Sequence, residues 1–192
     1  MKLVCIGDSL TYGYGVLSAE CWVDLIKMHF DIEVINQGVN GDTTSGILSR
    51  YYSDVIDKKP DYVIIMAGTN DLLMNYPLTL IKDNIKILVK EAKENTIVPI
   101  IAFQPPIIAE IAESYWNEKG NYATSAIILA AYVNWLKTYS QDNNIDFVNF
   151  YDIFINENSI KSLYSDGIHP NADGHKLMFD AVFEVLRKKF DY

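Results

Sequence analysis

The sequence predicts a three-layer α/β fold in which helices cover both faces of a doubly wound, parallel sheet of about five strands. Short apolar runs alternate along the chain with longer stretches of helical periodicity, the pattern of repeated strand–helix units. Several of the short runs are apolar at every position, as expected for strands that are buried on both faces. No repeat or low-complexity linker divides the 192 residues, so we expect a single domain over residues 1–192.

The predicted strands are apolar runs, rich in β-branched side chains, that stand between turn residues. Parallel strands are joined by right-handed crossovers, and the flavodoxin-like doubly wound arrangement predicts the strand order 2-1-3-4-5. The strands are expected at Lys2–Ile6, Ile32–Ile35, Tyr62–Met66, Ile97–Phe103 and Ile145–Val148.

The predicted helices begin at residues that favour helix N-termini and carry apolar residues at helical spacing. The segment from Gln104 to about Asn121 has no regular pattern and is expected to be variable. The helices are expected to run from Ser18 to Phe30, from Thr43 or Thr44 to about Ile56, from Pro77 to near Asn95, from about Ala123 to Ser140, and from near Asn171 to about Lys189.

The net charge of the chain indicates which kinds of binding partner are not expected. The chain has 16 Lys and Arg against 25 Asp and Glu, a net charge of −9. Binding to nucleic acid or to anionic membranes needs a basic surface, so neither is expected as a partner. The longest apolar stretch, Ala126–Val133, is too short to span a membrane, and Leu3–Ile6 is too short for the core of a signal peptide. We therefore expect a soluble cytoplasmic protein without stable membrane association; the sequence leaves the oligomeric state open.

The loops beyond the carboxyl ends of the strands are expected to carry the chemistry, because ligands bind at that edge of open parallel sheets. Polar segments that contain glycine stand at three of these positions, and a fourth precedes the last helix. The four segments are Gly7–Thr11, Asn36–Asp42, Ala67–Asp71 and Asp166–Pro170.

These segments contain the parts of a nucleophilic active site. Ser9 stands at a strand-to-helix bend, and a serine hydroxyl needs a neighbouring base to become a good nucleophile. His169 can be that base, and Asp166, three residues earlier, can reach its Nδ1 proton and fix the tautomer. The amides of Ser9 and Gly38 and the side-chain amide of Asn70 are available as oxyanion donors.

The four segments together resemble the SGNH hydrolases, also called GDSL esterases and lipases. The motifs are Gly7-Asp8-Ser9-Leu10, Gly38 within Asn36–Asp42, Gly68-Thr69-Asn70-Asp71 and Asp166-Gly167-Ile168-His169-Pro170, and they span nearly the whole chain in the family's order. The resemblance implies a flavodoxin-like three-layer fold, hydrolysis of carboxylic esters and no metal. It also implies that Ser9 is the nucleophile, His169 the base and Asp166 its orienting partner, with Gly38 and Asn70 joining the Ser9 amide as oxyanion donors.

Structural roles compete with some of these assignments. Ser9 could be only a helix N-cap, and Asp166 only a turn residue. His175 is the second candidate for the base, although it falls in no matching motif and is expected to face solvent or pack locally. Cys5 and Cys21 are expected to be small buried hydrophobic residues and not a disulfide.

No cofactor is expected. The sequence contains neither metal-ligand spacing of the HExxH or CxxC type nor a glycine-rich phosphate-binding loop. The expected partner, from the serine-hydrolase motifs above, is a small-molecule ester.

The substrate remains open at this level. The apolar residues between Pro105 and Trp116 predict a pocket for lysophospholipids, short fatty esters or thioesters, with Ile107, Ile111, Tyr115 and Trp116 as candidate lining residues. Removal of acetyl groups from a sugar or glycan is the alternative within the family. A non-catalytic binding module is the alternative from another class.

Overall fold

The computed structural model describes residues 1–116 and 120–190, and within them it confirms the predicted α/β fold. Five strands pair in parallel throughout, in the predicted order β2-β1-β3-β4-β5. The strands are β1 (Lys2–Gly7), β2 (Glu33–Gly38), β3 (Tyr62–Met66), β4 (Val98–Phe103) and β5 (Asp146–Asn149).

Helices cover both faces of this sheet. The α-helices of the described ranges are α1 (Ser9–Tyr12), α2 (Trp22–His29), α3 (Thr44–Asp54), α4 (Thr69–Leu73), α5 (Leu78–Glu94), α6 (Ala109–Tyr115), α7 (Tyr122–Asp142), α8 (Phe150–Ile155) and α9 (Ala172–Leu186).

The sheet divides the core into two clusters because successive side chains of a strand point to opposite faces. On β1, Val4 and Ile6 pack with α3, α5 and α7, whereas Leu3 and Cys5 pack with α2, α8 and α9. All four of these side chains are fully buried. Both faces of β1 are therefore apolar, which explains why this central strand is a continuous apolar run in the sequence.

Three elements differ from the sequence-based expectation. The helix expected from Ser18 is interrupted, because Cys21 is extended (φ −66°, ψ 131°) between a 3₁₀ turn and α2. The segment after Gln104 contains α6, and α8 follows β5 directly without a loop. Asn149 starts α8 by accepting a 3.0 Å hydrogen bond from the amide of Asp152 through its side chain.

Cys5 and Cys21 are both free and buried, as predicted. In the ranges that the structure describes, no helix is long and apolar enough to cross a membrane.

Candidate active site

Ser9 lies where β1 ends and α1 begins. The side chain of Asp8 caps α1 by accepting a 2.9 Å hydrogen bond from the amide of Leu10. This cap occupies Asp8, so the neighbouring Ser9 is not itself the capping residue. Ser9 is 6% exposed and lies at the carboxyl edge of the sheet.

Hydrogen bonds link the side chains of Ser9, His169 and Asp166 in that order. The Oγ of Ser9 lies 2.9 Å from Nε2 of His169, although 160 positions separate the two residues. The Nδ1 of His169 lies 2.7 Å from Oδ2 of Asp166. A hydroxyl, an imidazole and a carboxylate in this order can pass the proton of the hydroxyl to the imidazole and stabilise the resulting charge.

The carboxylate of Asp166 is fixed by its own turn. Its Oδ1 accepts hydrogen bonds from the amides of Ile168 (2.9 Å) and His169 (2.7 Å). Burial raises the pKa of Asp166, but the hydrogen bonds from the His169 ring and the two amides outweigh it, so the pKa lies below its usual value. Asp166 is thus ionised at neutral pH.

Asn70 brings a side-chain amide to the same edge from the first turn of α4. Its Nδ2 donates to the backbone carbonyl of Asp42 at 2.9 Å and to Oδ2 of Asp8 at 3.4 Å. The longer of these two hydrogen bonds is the one that an incoming ligand can replace most easily.

Asp8, the acceptor of the longer bond, is fully buried beside the nucleophile. Desolvation is the main reason that the pKa of Asp8 is raised to about 7.

The two glycines of the segment Asn36–Asp42 have different surroundings: Gly38 is the last residue of β2, and Gly41 lies in the loop that follows it. The amide of Gly38 is already bonded, because it donates to Oδ1 of Asn36 at 2.9 Å. A side chain at Gly38 would collide with the backbone of Tyr12, so the glycine is required by close packing of β2 against α1. Gly41 has a φ of 77° and is exposed, next to the Asp42 carbonyl that holds Asn70. Among the described residues, no acceptor pairs with the amide of Gly41 or of Ser9.

Two aromatic rings flank His169 at the mouth of the site. The ring centroids of Tyr14 and Trp116 lie 4.5 Å and 6.0 Å from that of His169. Both aromatic residues are exposed. A cavity of about 280 Å³ opens beside His169, and its lining includes Asn70, Leu73, Trp116, Asn121, Tyr122 and Ile168.

Of the four residues predicted to line a substrate pocket, only some lie at the cavity beside His169. Trp116 lines the cavity, and Tyr115 is exposed with its ring 5.3 Å from that of Trp116. Ile107 is buried in the core, and Ile111 packs beside Gly167. The apolar run after β4 therefore serves mainly to cover the sheet.

His175, the second candidate for the base, bonds to the start of α2 and not to the nucleophile. It is buried, and its Nδ1 accepts a 3.4 Å hydrogen bond from the amide of Trp22. Burial, helped by the nearby His169, lowers the pKa of His175 to about 4, so it is neutral at pH 7. Within the described residues, no three His, Cys, Asp or Glu side chains form a group that could hold a metal ion.

An all-parallel, five-stranded sheet with helices on both faces and a Ser–His–Asp series at its carboxyl edge is a flavodoxin-like sheet that carries the groups of a serine hydrolase at its ligand-binding edge. The chain belongs to the GDSL-like Lipase/Acylhydrolase family, whose model matches residues 5–177.

Individual relatives agree with this membership. The chain is 27% identical to an acetylxylan esterase of Geobacillus stearothermophilus, over 96% of this chain and 93% of the relative. It is 26% identical to thioesterase 1/protease 1/lysophospholipase L1 of Escherichia coli K12, over 96% and 83%. A solved structure assigned to the lipolytic G-D-S-L family, from Desulfitobacterium hafniense DCB-2, superposes with a TM-score of 0.81 at 28% identity, over 96% and 98% of the two chains. The protein is accordingly an ester hydrolase.

Proposed function

We propose that the protein hydrolyses small carboxylic esters through an acyl-enzyme on Ser9. The observation that carries this proposal is the unbroken series from Ser9 through His169 to Asp166, with distances of 2.9 Å and 2.7 Å. Hydrogen-bond reach between the nucleophile and its base is the geometric requirement for activating a serine.

In the first half-reaction, Nε2 of His169 takes the proton of Ser9 as Oγ bonds to the ester carbonyl carbon. His169 then gives this proton to the alkoxide as the ester C–O bond breaks, and the alcohol leaves. In the second half-reaction, His169 takes a proton from water, whose oxygen bonds to the acyl carbon. The bond between that carbon and Oγ breaks, the proton returns to Ser9, and a carboxylic acid is released.

Three donors hold the oxyanion in this proposal: the amides of Ser9 and Gly41 and the side chain of Asn70. Gly41 replaces Gly38, the donor expected from the sequence, because the Gly38 amide is bonded to Asn36 and the Gly41 amide is not occupied by a described residue. The 2.9 Å bond from Asn70 to the Asp42 carbonyl brings the Asn70 amide next to Gly41. Asn70 keeps that bond and exchanges the 3.4 Å contact with Asp8 for the oxyanion.

The proposed acyl group is short. The cavity beside His169 is about 280 Å³ and has two asparagines in its lining, and Ile107 is committed to the core. A long alkyl chain would need a larger apolar surface than this cavity offers. Esters of sugars are a second candidate class, because the exposed rings of Tyr14 and Trp116 can pack against a pyranose at the leaving-group side of His169.

The test is a comparison of kcat/KM for p-nitrophenyl acetate, butyrate, octanoate and laurate, run beside an acetylated xylo-oligosaccharide. We expect the highest value at two to four carbons and no turnover of any ester by Ser9→Ala. A value that rises steadily to laurate would contradict the short acyl pocket. Normal turnover by Ser9→Ala would contradict the acyl-enzyme. Activity on the oligosaccharide that falls at least tenfold in Trp116→Ala, with p-nitrophenyl acetate hydrolysis retained, would select the sugar-ester class.

A further inference from the structure

We propose that Arg50 is a positioning residue that holds the oxyanion side of the active site in place, an inference that rests on the function proposed above. Arg50 lies on α3, and only 18% of its side chain is exposed. From sequence alone, an arginine in the middle of a surface helix is expected to be a solvated charge. Here the guanidinium points instead to the carboxyl ends of β1 and β2.

The guanidinium makes four hydrogen bonds. Its Nε donates to Oδ2 of Asp42 at 2.7 Å, and one terminal nitrogen donates to Oδ2 of Asp54 at 2.7 Å. The other two bonds go to backbone carbonyls, of Gln37 at 3.0 Å and of Gly7 at 2.9 Å. The planar fork of arginine can serve acceptors in several directions at once, which the point charge of lysine cannot do.

Three of these four acceptors belong to segments that carry the oxyanion donors. Gly7 is two residues before Ser9 and lies at the end of β1. Gln37 and Asp42 enclose the loop that contains Gly41. The carbonyl of Asp42 accepts the hydrogen bond from Asn70. One rigid cation thus joins the segments that present the Ser9, Gly41 and Asn70 donors.

Arg50 acts through these segments and not on the substrate. Among the described residues, its hydrogen bonds and ion pairs go to Gly7, Gln37, Asp42 and Asp54, and it does not line the cavity beside His169. Oxyanion donors must match the transition state closely, so a small displacement of this loop is expected to slow the chemical step more than it weakens binding of the ester.

The charge of Arg50 has a second effect on the loop. Burial is the main reason that the pKa values of Asp8 and Asp71 are raised, and the charge of Asp42 adds to that rise. With Arg50 present, the Asp42 carboxylate is paired at 2.7 Å. Without Arg50, the Asp42 carboxylate would have no cationic partner, and its repulsion of Asp8 and Asp71 would favour a displaced loop. The Asp42 carbonyl would then no longer be held beside Asn70.

The experiment compares Arg50→Ala and Arg50→Lys with Asp54→Asn, a matched control that removes the charge of one partner of the same guanidinium but touches no oxyanion segment. Each variant is assayed for kcat and KM with p-nitrophenyl acetate and for inhibition by a boronic acid that forms a tetrahedral adduct. We expect kcat of both arginine variants to fall roughly 10- to 100-fold, with KM within threefold of the parent and boronate affinity reduced in parallel with kcat. Asp54→Asn should retain at least a third of kcat.

Added ethylguanidinium at millimolar concentration should restore part of the kcat of Arg50→Ala, whereas ethylammonium should not. Circular dichroism and the Tm establish that each variant is folded; if Arg50→Ala does not fold, the kinetics of Arg50→Lys decide the question. Full activity of Arg50→Lys, an increase confined to KM, or an equal loss in Asp54→Asn would overturn the proposal. Turnover by Ser9→Ala would overturn the acyl-enzyme itself, so the two failures are distinguishable.

Discussion

The carboxylate of Asp166 holds His169 at two places: Oδ2 lies 2.7 Å from Nδ1 of the ring, and Oδ1 accepts the His169 amide at 2.7 Å. The turn between them contains Gly167, whose φ of 86° is in the left-handed region that favours glycine. This turn fixes both the backbone and the ring of the proposed base before a substrate arrives.

Asp166→Asn is expected to lower kcat by up to about 10⁴, because an amide facing Nδ1 favours the wrong tautomer of the imidazole. The Asn oxygen can still accept the backbone amides of Ile168 and His169, so the fold should be retained. Steady-state kinetics and the Tm measure the two effects separately. A variant with near-normal kcat would remove Asp166 from the mechanism.

Asn70→Ala is expected to lower kcat by roughly 10²–10³ and to change KM little, because the amide bonds the oxyanion and not the ground-state ester. Asn121→Ala is the matched control, since Asn121 lines the same cavity without a proposed role in the chemistry. The control should affect KM more than kcat. If Asn70→Ala raises only KM, the side chain binds the substrate and does not stabilise the transition state.

The amide proton of Gly41, and not that of Gly38, is expected to move furthest downfield when a tetrahedral phosphonate adduct forms on Ser9. The chain has 10 glycines, and Asn40-Gly41 and Gln37-Gly38 are each its single Asn-Gly and Gln-Gly pair. Labelling with ¹⁵N-glycine and carbonyl-¹³C asparagine or glutamine therefore assigns each signal by NMR. A large shift at Gly38 with none at Gly41 would reinstate Gly38 as the donor.

His175→Gln is expected to remove part of the loss of stability in acid. The pKa of His175 is lowered to about 4 in the folded protein, against roughly 6.5 in an unfolded chain. The unfolded state therefore binds this proton first, and the folded protein loses up to about 3 kcal/mol between pH 6.5 and pH 4. Glutamine can still accept from the Trp22 amide but does not titrate.

Urea unfolding of the parent and of His175→Gln across that pH range measures the effect, with the exposed His29→Gln as control. An unchanged pH dependence in His175→Gln would show that His175 does not titrate on unfolding.

The sequence was sufficient for the sheet order and for the juxtaposition of Ser9 and Asn70, because strands of a parallel sheet bring their carboxyl ends to one edge. His169 does not follow a strand, and its place beside Ser9 was expected from the Asp166–Pro170 motif. It could not distinguish Gly38 from Gly41. Both are glycines of one polar segment, and the difference depends on how the Asn36 side chain bonds to the Gly38 amide and how closely Tyr12 approaches.

Other features depend on tertiary packing in the same way. Ile107 belongs to an apolar run near the site, but it packs into the core instead of lining the cavity, because apolar residues beside a sheet are most stable when they cover it. Arg50 has no motif, and its four bonds join residues that are brought together only by folding. The helix α8 follows β5 without a turn signal that separates the two.

The role of Ser9 as the nucleophile is tested by the reaction of the folded protein with a fluorophosphonate, followed by mass spectrometry of the intact chain and of its peptides. We predict one adduct per chain, on Ser9, with loss of esterase activity in proportion to labelling and very slow labelling of His169→Ala. An adduct on any other residue, or ester hydrolysis that persists in fully labelled protein, would contradict the assignment of Ser9 as the nucleophile.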